Sequence, residues 1–252
     1  MPDLKFDCFI FDKDNEPHYL WEIEDDDVYY SKFAEHMLCP LCEKAFIIRS
    51  HSATGKTFLK TSPNSKHGLV DGKPCYYSQP PAPQYAIREF LGSLRGANRL
   101  NIKIRSLIRM MKSKDLKPKG KPSETSLSEI LSLKYSSKKA KAEKRAVIPK
   151  YSINQWSYVP EGEIIAVYGK VAIKVKAYPS VKNPEKENLY WRLHNIKTGA
   201  FITSVWANYY PTAISDGNYY FAAFCTKERN GEYYNLKPFD FAEGMVAEQI
   251  ND

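Results

Sequence analysis

The stretch EGEIIAVYGKVAIKVKAY, residues 161–178, decides the fold. Beyond Gly169 it alternates with period two. Val171, Ile173, Val175 and Ala177 fall on one face; Lys170, Ala172, Lys174 and Lys176 fall on the other. Successive strand residues point to opposite faces, so the first set suits a core and the second a cationic outer surface. A glycine inside a long strand permits a coil or bulge that lets one strand serve two sides of a small barrel. Residues 189–194 (LYWRLH) continue the alternation, with Leu189, Trp191 and Leu193 opposed to Tyr190, Arg192 and His194. The turn NIKTG at 195–199 leads into a third strand over 201–208. There Phe201, Thr203 and Val205 are assigned inward, and Ile202, Ser204 and Trp206 outward. Two further strands, 218–225 and 232–240, join across residues 226–231. The pattern predicts a five-stranded barrel that begins as a 1-2-3 meander.

The segments GEIIAVYGKV, WRLHNIKTGAFITSVW, DGNYYFAAF and GEYYNL together resemble the OB-fold nucleic-acid-binding family, over residues 162–241. The resemblance implies an all-β barrel whose strand face holds nucleic acid, single-stranded DNA or RNA. Two features depart from that pattern. The link between strands three and four is too short for the helix often found there, and loop 179–188 is too short for a large clamp. Lys170, Lys174, Lys176, Tyr190, Arg192, His194 and Trp206 are the candidate contacts on the outer face. Single strands need cations for phosphate and flat π-faces for bases, and stacking contributes about 1–3 kcal/mol per base. The competing reading of the same residues is a protein-docking face, because tyrosine serves either role.

Upstream, Cys39-Pro40-Leu41-Cys42 forms a tight knuckle, and His67 and Cys75 follow with the spacing C-x2-C-x24-H-x7-C. Two thiolates on a knuckle take two corners of a tetrahedral metal site; a later His and Cys supply the others. His51 competes with His67 for the third position. Five cysteines, an odd count, fit a reducing cytoplasmic setting with a metal better than a disulfide framework. The expected metal is structural zinc, which stabilises a module whose core is small. Residues 37–77 also resemble the zinc-knuckle region of competence CoiA-like proteins, through the CPxC knuckle, a hairpin, and a downstream His followed by Cys. That family's paired histidines around an aromatic are replaced here by SKHGL, so the resemblance implies zinc and not nuclease activity.

Before the knuckle, residues 4–11 and 18–23 read as two strands of a hairpin, and Asp25–Asp27 as a solvated acidic turn. Residues 45–49 and 57–59 read as a second hairpin. Residues 84–111 read as two helices broken at Gly96. The second is amphipathic and basic, with Arg99, Lys103, Arg105 and Arg109 as candidate phosphate contacts.

Net charge is +8, unevenly distributed. Residues 95–145 hold 16 Lys/Arg against 4 Asp/Glu, whereas residues 1–38 hold 11 acids and 3 bases. Such asymmetry suggests a basic arm that seeks polyanions. Residues 112–150 are rich in Lys, Ser and Pro and read as a mobile tether. Within it Ser126–Leu133 forms a short helix with Ser126 and Glu129 as a capping box. That helix, or the N-terminal module, is where a protein partner would dock.

No run of apolar residues is long enough for a membrane span, and the acidic start lacks a secretory signal, which points to a cytoplasmic protein. GKT at 55–57 lacks the earlier glycine of a phosphate-binding loop, and no paired-histidine motif is present. The expected architecture is an α+β zinc-knuckle module over 1–95, a basic helix and flexible linker over 96–148, and an all-β OB-like barrel over 149–252. The expected function is non-catalytic binding of nucleic acid, single-stranded by preference. The alternatives are a zinc-supported nuclease using His51 or His67 with an acid such as Asp71, and a protein-interaction adaptor.

Overall fold

The structure is a computed structural model that describes the whole chain except residues 1–5, 7, 53–54, 56, 71, 97, 117–126, 138–139, 181–182, 184, 211–212 and 251–252. Leu4, Asp71, Ser126 and the lysines at 117–121 therefore lie outside the described residues. The elements in the first half are β1 (Cys8–Phe11), β2 (Glu16–Tyr19), α1 (Asp26–Val28), β3 (Met37–Leu38), β4 (Ile47–His51), β5 (Thr57–Thr61), β6 (Leu69–Val70), β7 (Lys73–Pro74), α2 (Gln84–Ser93) and α3 (Arg99–Leu116). Then come α4 (Leu127–Leu131), β8 (Ser132–Ser137), β9 (Ala140–Val147), β10 (Lys150–Ser152), β11 (Ile165–Pro179), β12 (Glu187–Asn195), β13 (Phe201–Trp206), β14 (Gly217–Asn230), β15 (Tyr233–Pro238) and β16 (Met245–Gln249). Two compact units result: Met1–Pro81 with Ser126–Val147, and Ala82–Thr125 with Ile148–Asp252. No helix among the described residues is long and apolar enough to cross a membrane.

In the first unit β1 pairs antiparallel with β2 and β3. The buried residues of β1 are Phe9 and Phe11, which pack with Ile23, Phe33, Met37, Ile47 and Leu59. HYLWEI is not one strand. β2 ends at Tyr19 and Leu20–Ile23 form a 3-10 turn, closed by the Tyr19 N–H donating to Glu22 Oε1 at 2.8 Å. Asp25 caps α1 by accepting the Val28 N–H at 2.9 Å, and Asp26 pairs with Arg49, so this acidic cluster serves a helix start. The second expected hairpin is present as β4 and β5.

Within the lysine-rich stretch read as a mobile tether, the described residues from Leu127 onward carry ordered pairing. α4 spans only Leu127–Leu131, and β8 and β9 then form an antiparallel hairpin in which Ser132 opposes Val147 and Lys134 opposes Arg145. Its root is fixed because Leu131, Leu133, Ala146 and Val147 are buried and the Val147 N–H donates to Pro80 O at 3.0 Å. Composition underestimates order here because a few anchoring apolar residues suffice to fix the root of the hairpin.

The second unit is built on β11. Its first part pairs with β14, Ile165 opposite Cys225, and its last part pairs with β12, Pro179 opposite Glu187. Around the ring the order is β11-β12-β13-β15-β14 and back to β11, a closed five-stranded barrel. It is mixed, because β13 and β15 run parallel. β10 and β16 add to the outside of the ring. Val167, Val171, Ile173, Trp191, Leu193, Val205, Phe221 and Leu236 fill its interior. Lys227 also faces in, buried at one end, where its ammonium donates to the carbonyls of Trp156, Ser157 and Val159 at 3.0–3.4 Å.

Gly169 makes no bulge; pairing runs unbroken from Tyr168–Ala222 through Gly169–Phe221 to Lys170–Tyr220. Its role is close approach. A Cβ there would lie 2.6 Å from Cγ2 of Ile153, which belongs to the barrel core. Gly169→Ala is expected to cost about 1–3 kcal/mol by overpacking. In an Ile153→Ala background the same change should cost less, a coupling that urea denaturation of the four proteins measures.

A bulge does occur between β12 and β13. Leu193 opposes Thr203, but His194 opposes Phe201, so Ile202 is skipped. Ile202 packs toward the core, and Phe201 sits on the outer face against His194 and Arg192. The inward assignment of Phe201 is therefore corrected.

Candidate metal centre and barrel face

The candidate metal centre is assembled by local turns. Cys39 follows β3, and its N–H donates to Ala45 O at 2.8 Å while its carbonyl accepts the Glu43 N–H at 2.9 Å. Glu43 takes a positive φ of 52°, which turns the chain at the knuckle. The β4–β5 hairpin brings the chain back, so that the Ser62 N–H donates to Phe46 O and His67 follows within a few residues. The β6–β7 hairpin then delivers Cys75.

Cys39, Cys42, His67 and Cys75 converge so that their ligand atoms all lie within 4.8 Å of one another. Cys39 Sγ and Cys75 Sγ are 3.8 Å apart, and Cys42 Sγ is 3.5 Å from His67 Nδ1. A tetrahedron with metal–sulfur bonds of about 2.3 Å and metal–nitrogen bonds of about 2.0–2.1 Å has S–S edges of about 3.8 Å and S–N edges of about 3.6 Å. These two edges match it, and the Cys39–Cys75 separation is far from a disulfide bond; all the cysteines are free thiols.

The thiols are costly to ionise without a cation. A hydrogen bond with Cys42 pulls the Cys39 thiol down, but the Cys75 thiol and burial outweigh it and push Cys39 up to about 12. The Cys39 thiol, with burial, pushes Cys42 up to about 11. A bound divalent cation reverses that balance by favouring thiolate.

Thr61, which the sequence reading missed, supports the centre. Its hydroxyl lies 2.9 Å from His67 Nε2. With a metal on Nδ1, Nε2 would carry the proton and donate to Thr61 Oγ1, fixing tautomer and ring orientation. Thr61→Val is expected to weaken metal affinity by about 10–100-fold, measured by competition with a chromogenic chelator. His51 is not part of the cluster. It is exposed at the end of β4, with Nδ1 3.2 Å from Thr57 Oγ1, and His36 faces Asp12.

The barrel's outer surface has two halves. α3 packs over β14 and β16, with Leu100, Ile104, Leu107, Ile108 and Met111 buried. Arg105 and Lys112 bind Glu248 of β16 at 2.8 and 2.7 Å. Arg105 also donates to Asn101, Arg109 donates to Ser106 and Lys103 lies 5.3 Å over the Phe90 ring. Of the predicted basic helix face, Arg99, Arg105 and Arg109 are exposed, and Arg105 also pairs with Glu248 of the barrel.

The other half, over β11, β12 and β13, brings most of the remaining predicted residues into cross-strand rows. One row is Lys174–Arg192–Ser204 and the next is Lys176–Tyr190–Trp206. Lys170, Lys174 and Lys176 are exposed. The Lys170 ammonium lies 5.6 Å from the Tyr220 ring, toward the helix-covered half. Tyr178 continues the lysine parity of β11 and meets Tyr190 edge-on at 5.8 Å; the sequence reading placed it in the strand but assigned it no face. Trp206 packs edge-on against Tyr209 and Phe241, both at 5.2 Å, and Tyr209 is 61% exposed, a second open ring. Arg192 lies over the Phe201 ring at 4.8 Å. His194 serves the adjacent turn: its Nδ1–H donates to Gly199 O at 3.0 Å, and Nε2 is buried.

Comparison with protein-family models, with curated proteins and with solved structures finds no match to this chain.

Proposed function

We propose that this protein binds single-stranded nucleic acid on the β11–β12–β13 face of an OB-fold-like barrel, and that structural zinc holds its N-terminal knuckle. The barrel order β11-β12-β13-β15-β14, with β13 and β15 parallel, favours the OB reading over a generic β-barrel. One observation carries the binding reading. Lys174, Lys176 and Arg192 are interleaved with Tyr178, Tyr190 and Trp206 on the β11–β12–β13 side of the barrel, whereas α3 packs mainly on β14 and β16. Cations spaced among aromatic rings match a strand whose phosphates and bases alternate. Zinc is favoured by three thiols and one imidazole whose ligand atoms all lie within 4.8 Å of one another. Four protein ligands close that shell, as in structural sites, and the zinc's contribution is to hold the knuckle, β4–β5 and the Cys75 turn together.

The test is the nucleic acid content of protein purified at low salt without nuclease. Nucleic acid that elutes at high salt and is degraded by a single-strand-specific nuclease is expected. Protein free of nucleic acid, and not retained on immobilised single-stranded DNA, would contradict the proposal.

A further inference from the structure

The β8–β9 hairpin is a two-stranded sheet of its own, and its sequence is strongly basic. Residues 132–147 contain six Lys/Arg and one Glu. Its root is buried through Leu133, Ala146 and Val147, whereas Lys134, Ser136, Glu143, Lys144 and Arg145 are exposed. A solvated tether needs no such anchor.

Three features describe what the ribbon would contact. Lys134 lies directly opposite Arg145, an arrangement that destabilises a hairpin unless counter-charge arrives. Glu143 supplies it to Lys134 alone, at 2.8 Å; Lys144 and Arg145 have no ion pair among the described residues. Lys144, opposite Tyr135, falls on the other face of the ribbon from Arg145. Cations therefore occupy both faces. A single strand offers one row of phosphates, whereas a duplex groove offers two walls of them. The major groove of B-form DNA, about 12 Å wide, admits a two-stranded ribbon. The corresponding groove of duplex RNA is too deep and narrow.

We propose that the β8–β9 ribbon is a duplex-DNA contact, with Lys144 and Arg145 reaching phosphates on the two sides of the major groove. It extends the nucleic-acid reading to a second element and is tested apart from the barrel. The experiment measures fluorescence anisotropy of a labelled 20-base-pair DNA duplex with the full chain, from 50 to 200 mM salt. The Lys144→Glu/Arg145→Glu variant should lose at least tenfold in duplex affinity, and Lys144→Gln/Arg145→Gln should lose less. In the glutamine variant the slope of log affinity against log salt should fall in magnitude by about two, one for each phosphate contact removed. Affinity for a single-stranded oligonucleotide should change less than twofold in both. Unchanged duplex affinity, equal losses on single-stranded and duplex DNA, or equal binding of an RNA duplex would overturn the proposal. Duplex binding that depends on these residues, alongside no single-strand binding, would sustain the ribbon and sink the barrel reading.

Discussion

Replacing Cys75 by serine is expected to empty the metal centre and loosen the unit built around it. Cys75 is fully buried, and its thiol sits 3.8 Å from that of Cys39. Serine keeps the volume but is a poor ligand for a soft cation, and it leaves Cys39, Cys42 and His67 as an incomplete set. Structural zinc contributes on the order of 10 kcal/mol in small zinc-finger peptides. Whole domains hold only about 5–15 kcal/mol of net stability. Losing the metal is therefore expected to unfold the knuckle. Elemental analysis should fall from about one zinc per chain to near zero. Limited proteolysis should open new cleavage sites within residues 37–77. Chelation of the wild-type protein should reproduce that pattern. A Cys75→Ser protein that retains zinc and protease resistance would remove the metal from the account.

The Tyr190→Ala/Arg192→Ala pair is the second large effect. These residues occupy neighbouring rows of the open face, Tyr190 between Lys176 and Trp206, Arg192 between Lys174 and Ser204. Loss of one stacking ring costs about 1–3 kcal/mol, and the arginine removes one phosphate contact. Single-strand affinity is expected to fall about 10–100-fold, since each 1.4 kcal/mol is a factor of ten. Stability should move little, because both side chains point away from the barrel core while Trp191 and Leu193 fill it. Matched urea midpoints alongside the binding loss would place the effect at the face.

Most of the barrel was legible in the chain. The alternation after Gly169 marks which side of β11 is buried, because one face packs and the other meets water. The knuckle was legible too, since C-x2-C geometry is local. What failed was non-local. Phe201 faces outward because a bulge skips Ile202, and a bulge is set by pairing between strands rather than by alternation within one. His51 and His67 follow the knuckle at comparable reach; only the β4–β5 pairing leaves His51 exposed and brings His67 to the thiols. Arg105 reads only as a phosphate contact from the chain, because Glu248, its partner at 2.8 Å, lies far along the sequence. The hairpin at 132–147 was hidden by its own lysines, because its order rests on four buried residues at its root.

The central claim is that the β11–β12–β13 face holds a single strand. It is tested most directly by titrating a labelled oligothymidine with wild-type protein and the Tyr190→Ala/Arg192→Ala variant at 50 and 200 mM salt. Three phosphate contacts, from Lys174, Lys176 and Arg192, give a single-strand slope of about −2, so wild-type affinity should fall about 20-fold between the two conditions. The variant should bind at least tenfold more weakly at 50 mM and show a shallower slope. Wild-type protein that fails to bind at 50 mM, or a variant that binds as tightly and with the same slope, would contradict the account.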